Sequence, residues 1–527
     1  MKRRASIERG LAGLVGLGVL ASHLRFVAVD GRVPADMGLT WTRLPALHAA
    51  LTTGGAWPKL SGPGVWLEGL AAALFALSSP DPLVLQLLDM GWLTLLLGGV
   101  GVVADRLGGP RAAGAALLVV GTMPAVVLQA RLGWVHLPEA ALLFALAAAT
   151  ASSARWRGPW MGVLGALALA LRPSALVWMV PLATFSDWRR GRPSVTVGVG
   201  AVWLVSALPS LFMLPEYIQA KLEARARYAE QVPDLWSQLP DQLGAGGLLL
   251  VLVGLALAAR WLWTSRSMPL VRTLGLWTLV PAVLFLASRA GLDNFTPGFA
   301  ALAVLAAVGL ARSRTALGLS MAVWLVYTLP QHLPVAAGSP WAEAARLPIE
   351  PRLRNTWRPH HSWTGDHLRA LVTATCGTAP CRVATDHGLL RPDGEEPGRL
   401  EHFLLGLDTV TLVDLRAPGD LPQRTADAMV HYDCPELDAA WRRRHPHSLE
   451  LYRAMVTAQT HRVAWQQTID PQCTVYWLVP GGRLRHAEQA PAGAEVPDPR
   501  PPSMPEAVDP IEAARVRPGR RPAGGSP

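Results

Sequence analysis

Charge is scarce in this chain. Asp, Glu, Lys and Arg make up 16% of its 527 residues, while the hydrophobic fraction reaches 51%. Soluble domains carry about 25% charged residues, so an ordinary soluble fold is excluded. Cysteine is missing from the first 375 residues, and all four (Cys376, Cys381, Cys434 and Cys473) come after them. No glycine-rich loop of the Walker or dinucleotide type occurs, which removes the usual nucleotide-phosphate cradles. No repeat runs through the apolar stretches and little charge lies within them, which disfavours a transporter. The formal net charge of +10 does not point to nucleic acid, because the arginines cluster in short loops beside apolar runs, where they orient a membrane protein.

What is present are long apolar stretches. Gly10 to Val29, Pro82 to Ala104, Ala112 to Ala130 and Ser194 to Met213 each approach the roughly 20 residues that cross a bilayer. Trp156, Trp160, Trp188, Trp261 and Trp263 adjoin Arg-bearing turns, as in an interfacial aromatic belt. Lys2, Arg3 and Arg4 precede the first run and no clean cleavage site follows it, so it reads as a retained signal anchor rather than a signal peptide.

Placing the Arg-rich loops in the cytoplasm sets a topology. The expected spans are 10–29, 83–104, 112–130, 139–153, 195–213, 244–263, 272–288, 296–311 and 316–334. The run from Trp160 to Phe185 must start and end inside, so it is two short helices turning at Arg172-Pro173, where proline interrupts a helix. The run Gly64 to Ser79 is an interfacial or half-inserted helix on the outer face, in keeping with Glu68 and the Gly/Pro-rich stretch before it. The expected class is a polytopic α-helical membrane protein with about 11 membrane segments over residues 1–334. Its N-terminus is cytoplasmic and it resides in the inner (plasma) membrane.

This arrangement puts outside the loops 30–82 and 214–243, the stretch Arg131 to Glu139, and everything after His332. The loop PEYIQAKLEARARYAEQVPDLW has an amphipathic helical pattern. Strand-like CRVATD, TVTLVDL and AMVHYDC alternate with helix-like stretches, which predicts an extracytoplasmic α/β domain over 350–480. The four cysteines of this segment point to disulfides in an oxidising compartment, paired Cys376–Cys381 and Cys434–Cys473; a zinc site is the alternative, on one C-x4-C pair. The tail 481–527 is predicted disordered: ten prolines fall between Pro491 and Pro527.

Two acids stand at outer mouths. Asp36 follows the first span, and Glu139 opens the fourth in ARLGWVHLPEAALLF. Ionisable residues near a membrane tend to mark function. One carboxylate could act as general base on an acceptor, and the other could position the acceptor or help hold a divalent cation. The plainer alternative is that both are simply solvated. Lys59, Arg131 and Arg172 could bind a phosphate on a lipid carrier, whereas snorkelling explains most terminal Arg and Lys residues. Arg172 is hardest to explain that way, because it lies apart from the cytoplasmic arginine clusters.

Four stretches together resemble the GT-C superfamily of glycosyltransferases, in particular the protein O-mannosyltransferase and aminoarabinose-transferase-like group. They are ADMGLTWTRLPALHAALTTGGAWPKLSGPGVWLEGLAAALF, VVADRLGGPRAAGAALLVVGTMPAVVLQARLGWVHLPEAALLFALA, GALALALRPSALVWMVPL and DNFTPGFAALAVLAAVGLA. The resemblance covers roughly residues 1–334 and rests on order and spacing. Asp36 then matches the family's catalytic acid and Glu139 its second acid. Lys59, Arg131 and Arg172 match loosely the basic positions near a lipid-linked phosphate. Met37 stands where many relatives carry another acid, and Trp41 and Ser61-Gly62-Pro63 replace a tyrosine and a double proline. The resemblance implies an inverting glycosyltransferase that takes a sugar from a polyprenyl-phosphate donor to an extracytoplasmic lipid, glycan or protein. The alternative is a non-catalytic membrane protein whose outer domain binds an envelope partner.

Overall fold

The computed structural model describes residues 2–27, 32–34, 43–58, 64–132, 135–152, 157–185, 193–228, 239, 242–288, 295–323, 362–364, 372–377, 379–385, 410–414, 427–433, 461–470 and 473–480. The chain forms two compact units, one of residues 1–372 and 387–412, the other of 373–386 and 413–527.

The first unit is helical. Helix α1 (Lys2–Val27) leads to the short α2 (Leu44–Thr53) and α3 (Val65–Leu77). Next come α4 (Pro82–Gly108), α5 (Pro110–Thr122), α6 (Pro124–Leu132) and α7 (His136–Ala151). The pair α8 (Arg157–Leu171) and α9 (Ala175–Phe185) precedes α10 (Pro193–Tyr228). Helices α11 (Ala245–Thr264), α12 (Pro269–Ser288), α13 (Thr296–Leu310) and α14 (Arg314–Val323) complete it.

The sequence sets most of these ends. Asp81 caps α4 by accepting the Leu83 N–H at 2.8 Å, and Pro82 follows it at the position where a missing N–H costs nothing. Gly109, at φ 81°, ends that helix and turns the chain straight into α5. Met123 takes an extended conformation because Pro124 disfavours the helical one for its predecessor. The stretch 112–130, read above as one span, is therefore two helices. Pro209 and Pro215 do not break α10, which runs for 36 residues; the span 195–213 and the start of the amphipathic stretch after it are one rod. Neighbouring helices can satisfy the backbone groups that proline frees.

The centre of this unit is α13. Nearly every residue of it is buried, as expected of a helix that is apolar all round. It packs on α4, α5, α11 and α12. A Cβ placed on Gly254 or Gly309 would strike the backbone of the opposite helix, so α11 and α13 meet through small residues, as membrane helices commonly do. Helices α4 and α7 are as close: a Cβ on Gly99 would lie 2.7 Å from the Phe144 carbonyl carbon. Outward-facing side chains include Leu14, Leu17, Val197, Leu204, Val205, Phe212 and Leu252. Among the described residues, four stretches are long and apolar enough to cross a membrane: Ser6–Leu24, Leu83–Gly108, Ser194–Glu216 and Gly246–Thr264.

A short ladder also belongs to this unit. Strand β1 (Arg32–Pro34) pairs antiparallel with β2 (Ser362–Thr364), Pro34 opposite Ser362.

A five-stranded sheet has the order β4-β3-β5-β7-β6. Its strands are β3 (Cys381–Thr385), β4 (Val410–Asp414), β5 (Ala428–Asp433), β6 (His461–Asp470) and β7 (Cys473–Pro480). Strands β3 and β5 are parallel, while β5, β7 and β6 run antiparallel. The first three coincide with the strand-like stretches expected; β6 and β7 have no counterpart in that reading. Cys376 is bonded to Cys381, one of the two disulfides expected, and beside it Trp477 Nε1 donates to Thr375 Oγ1 at 3.1 Å. Cys434 and the tail 481–527 lie outside the described residues.

Candidate active site

Glu139 stands in the first turn of α7, with Pro138 one residue before it. Proline is tolerated there because the N–H it lacks has no helical acceptor anyway. A carboxylate in a first turn is favoured by the helix dipole, but Glu139 is 0% exposed, and a buried charge needs a partner. Two residues on either side of a proline supply it. Arg172 Nη1 donates to Glu139 Oε2 at 3.3 Å, and Ser174 Oγ donates to Oε1 at 2.8 Å. Arg172 Nη1 also reaches His136 Nδ1. A guanidinium can only donate, so that imidazole nitrogen accepts.

The partners come from the interruption between α8 and α9. Pro173 cannot continue the ladder, and the three residues Arg172 to Ser174 turn out of it before α9 resumes. The break leaves carbonyls without helical donors. One of them, Ala170 O, accepts the N–H of Gly64 at 2.9 Å. Gly64 has φ 80°, a conformation that glycine adopts without penalty, and it starts α3. The first loop is thereby fastened to the break that carries Arg172.

A second buried pair lies on that loop, and the sequence reading missed it. Glu68, in the first turn of α3, is 3% exposed. It accepts the backbone N–H of Arg43 at 2.6 Å and the Arg43 Nε at 2.9 Å, with Nη2 at 2.8 Å. Arg43 is the N-cap residue of α2, so one carboxylate both neutralises a guanidinium and serves the start of a neighbouring helix. Pairing of this kind could have been suspected from Arg43 and Glu68 bracketing an otherwise nearly uncharged loop.

Of the five residues singled out above, Glu139 and Arg172 meet. Asp36 and Lys59 lie outside the described residues, though Asp36 follows Pro34 of β1 by two positions. Arg131 falls in the last turn of α6, and its side chain is likewise outside them. Among the described residues, the contacts of Arg172 use Nη1. Both oxygens of Glu139 and both of Glu68 already accept from Ser174, Arg172 or Arg43, so neither of these two carboxylates is open to a divalent cation. No group of three His, Cys, Asp or Glu side chains suited to a metal occurs among the described residues.

No protein-family model matches the sequence, and no curated protein matches it. Solved structures do match its fold. ArnT from Cupriavidus metallidurans, crystallised with undecaprenyl phosphate, is similar over 89% of this chain and 98% of its own, with 15% identity and a TM-score of 0.51. The oligosaccharyltransferase of Archaeoglobus fulgidus, in complex with Zn and sulfate, is similar over 86% of this chain and 72% of its own, with 12% identity and a TM-score of 0.46. The arabinofuranosyltransferase AftD from Mycobacteria is similar over 82% of this chain and 35% of its own, with 14% identity and a TM-score of 0.38. These proteins are GT-C glycosyltransferases, and the likeness to ArnT, which spans nearly the whole of both chains, gives this chain the GT-C fold.

Proposed function

We propose that this chain is a membrane glycosyltransferase that moves a sugar from a polyprenyl-phosphate donor to an extracytoplasmic lipid, glycan or protein. One observation carries the reading: the fully buried Glu139 is held by Arg172 and Ser174 at a helix break, and the first loop is fastened to the same break through Gly64. A site assembled this way sets the Arg172 cation beside the end of the first loop at Gly64. The ArnT crystal of the same fold holds undecaprenyl phosphate, the kind of lipid carrier the proposed donor would release.

In this reaction an acceptor hydroxyl attacks the anomeric carbon, and its proton passes to Asp36. The bond from that carbon to the phosphate oxygen breaks with inversion, and polyprenyl phosphate leaves with the electron pair. The departing phosphate needs charge stabilisation more than a proton, and Arg172, Lys59 and Arg131 supply it. Glu139 keeps the Arg172 guanidinium aimed. The chain crosses the plasma membrane about 11 times with its N-terminus in the cytoplasm and its C-terminus outside. Pairing of β1 with β2 supports this, since it sets the first loop and residues 362–364 on one side.

Transfer from labelled polyprenyl-phosphate sugars in membranes tests the reading. Asp36→Asn should leave the protein folded and lower turnover by about 10²–10⁴-fold, the usual worth of a general base. Wild-type rates in the Asn variant, or no transfer by the wild type from any donor, refute it.

A further inference from the structure

Three polar atoms lie buried beside this site without a hydrogen-bond partner among the described residues: Asp89 Oδ2, Trp66 Nε1 and Trp92 Nε1. They are close together. The rings of Trp66, on α3, and Trp92, on α4, stand edge to face with centroids 5.9 Å apart. Asp89 precedes Trp92 by three residues, so the two share one side of α4. Asp89 is 1% exposed. It lies seven residues from the start of α4, about 10 Å along the helix.

The packing places this group at the end of the bundle that holds Glu139. Helices α4 and α7 run in the same sense, because α5 and α6 make the return between them. They touch at Gly99 and Phe144. Asp89 lies ten residues before its contact and Glu139 five before its own, so Asp89 stands about 7 Å beyond Glu139 along the bundle, past the N-terminal end of α7. Trp66 is two residues before Glu68 on the loop helix fastened beside Arg172.

Buried polar groups are nearly always satisfied, and an unpaired carboxylate at membrane depth is costly and tends to be functional. These three atoms have complementary needs. A carboxyl oxygen can accept, and the two indole N–H groups can only donate. A hydroxyl does both, and a pair of neighbouring hydroxyls on a ring would serve all three. The indole faces beside them offer apolar surface for the C–H face of such a ring.

We propose that Trp66, Asp89 and Trp92 form a subsite for the hydroxyl-bearing ring of the donor sugar. Asp89 accepts from one hydroxyl, and the indole N–H groups donate to its neighbours. The proposal rests on the transferase reading for its choice of ligand, but it stands on separate residues and has a separate readout.

Binding by native mass spectrometry in detergent tests it, with farnesyl phosphate and farnesyl phosphate carrying mannose, glucose, galactose or arabinofuranose as probes. At least one sugar-bearing probe should bind the wild type about tenfold tighter than bare farnesyl phosphate, the worth of one or two hydrogen bonds to a charged group. Asp89→Asn and the paired Trp66→Phe, Trp92→Phe should abolish that preference and leave binding of bare farnesyl phosphate unchanged. The Phe variants keep the rings, so they decide the matter if the Asn variant fails to fold. Retained preference in both variants overturns the subsite, and so does a wild type that prefers no sugar. A preference lost in the variants, with no sugar transfer by the wild type, upholds the subsite and removes the transferase reading. Transfer with an unaltered preference does the reverse.

Discussion

Arg43→Ala is the most informative single change to the first loop. Glu68 is buried, with its side chain 4% exposed, while that of Arg43 is 24% exposed. Removing the guanidinium strands the less exposed member, leaving the carboxylate with only the backbone N–H of residue 43. Two charge-assisted hydrogen bonds are lost, each worth about 1.5–3 kcal/mol. The retained N–H and local entry of water offset part of this, so a loss of about 3 kcal/mol is expected, at the low end for a broken buried pair. Glu68→Ala should cost less, about 2 kcal/mol, because the longer and more exposed Arg43 can swing toward water. Replacing both with apolar residues of similar volume, Arg43→Met with Glu68→Leu, should recover most of the loss. Chemical unfolding in mild detergent, read by tryptophan fluorescence over the double-mutant cycle, gives the coupling. We expect about 2 kcal/mol; losses that add to within about 0.5 kcal/mol would refute the pairing. The single variants should also lower sugar transfer, since Arg43 follows Asp36 by seven residues in the chain.

Other outcomes follow from particular contacts. Ser174→Ala removes one hydrogen bond to the buried Glu139 carboxylate and should lower stability by about 1–2 kcal/mol, measured in the same unfolding assay. Paired Cys376→Ser and Cys381→Ser opens a short loop and should destabilise the second unit by about 2 kcal/mol on the chain-entropy account; proteolysis of the sheet under native conditions reads this. An alkaline phosphatase fused after Pro527 should be active, and activity only in a cytoplasmic reporter refutes the orientation.

The fold was readable wherever one strong local signal acted alone. Apolar runs marked most of the helices, and Pro173 marked the break between α8 and α9. The same residue type misled elsewhere: Pro124 does split the third run, whereas Pro209 and Pro215 leave α10 intact, and only the neighbours of each segment decide between these outcomes. Glu139 and Arg172 were legible as members of one site because both sit in gaps between apolar runs. Glu68 was read as the mark of an interfacial helix, since nothing local shows that Arg43, 25 residues earlier, folds back onto it. Asp89 was hidden inside an apolar run, where a single acid hardly changes the pattern. In the second unit, β6 carries Gln466, Gln467 and Thr468 among its apolar residues, which blurs the alternation a strand shows when read alone.

The helix break has a consequence in time. Glu139 and Arg172 are separated by 33 residues of chain. At about 5–20 residues per second, the ribosome needs roughly 2–7 s to supply the partner after the acid has been made. The N–H of Gly64 waits longer still for Ala170, over a hundred residues downstream. The first loop is thus synthesised early and seated late, and its docking cannot precede insertion of the α8–α9 hairpin. Nascent chains arrested before residue 170 has emerged from the ribosome should leave the first loop open to protease, and chains arrested after Phe185 has emerged should protect it.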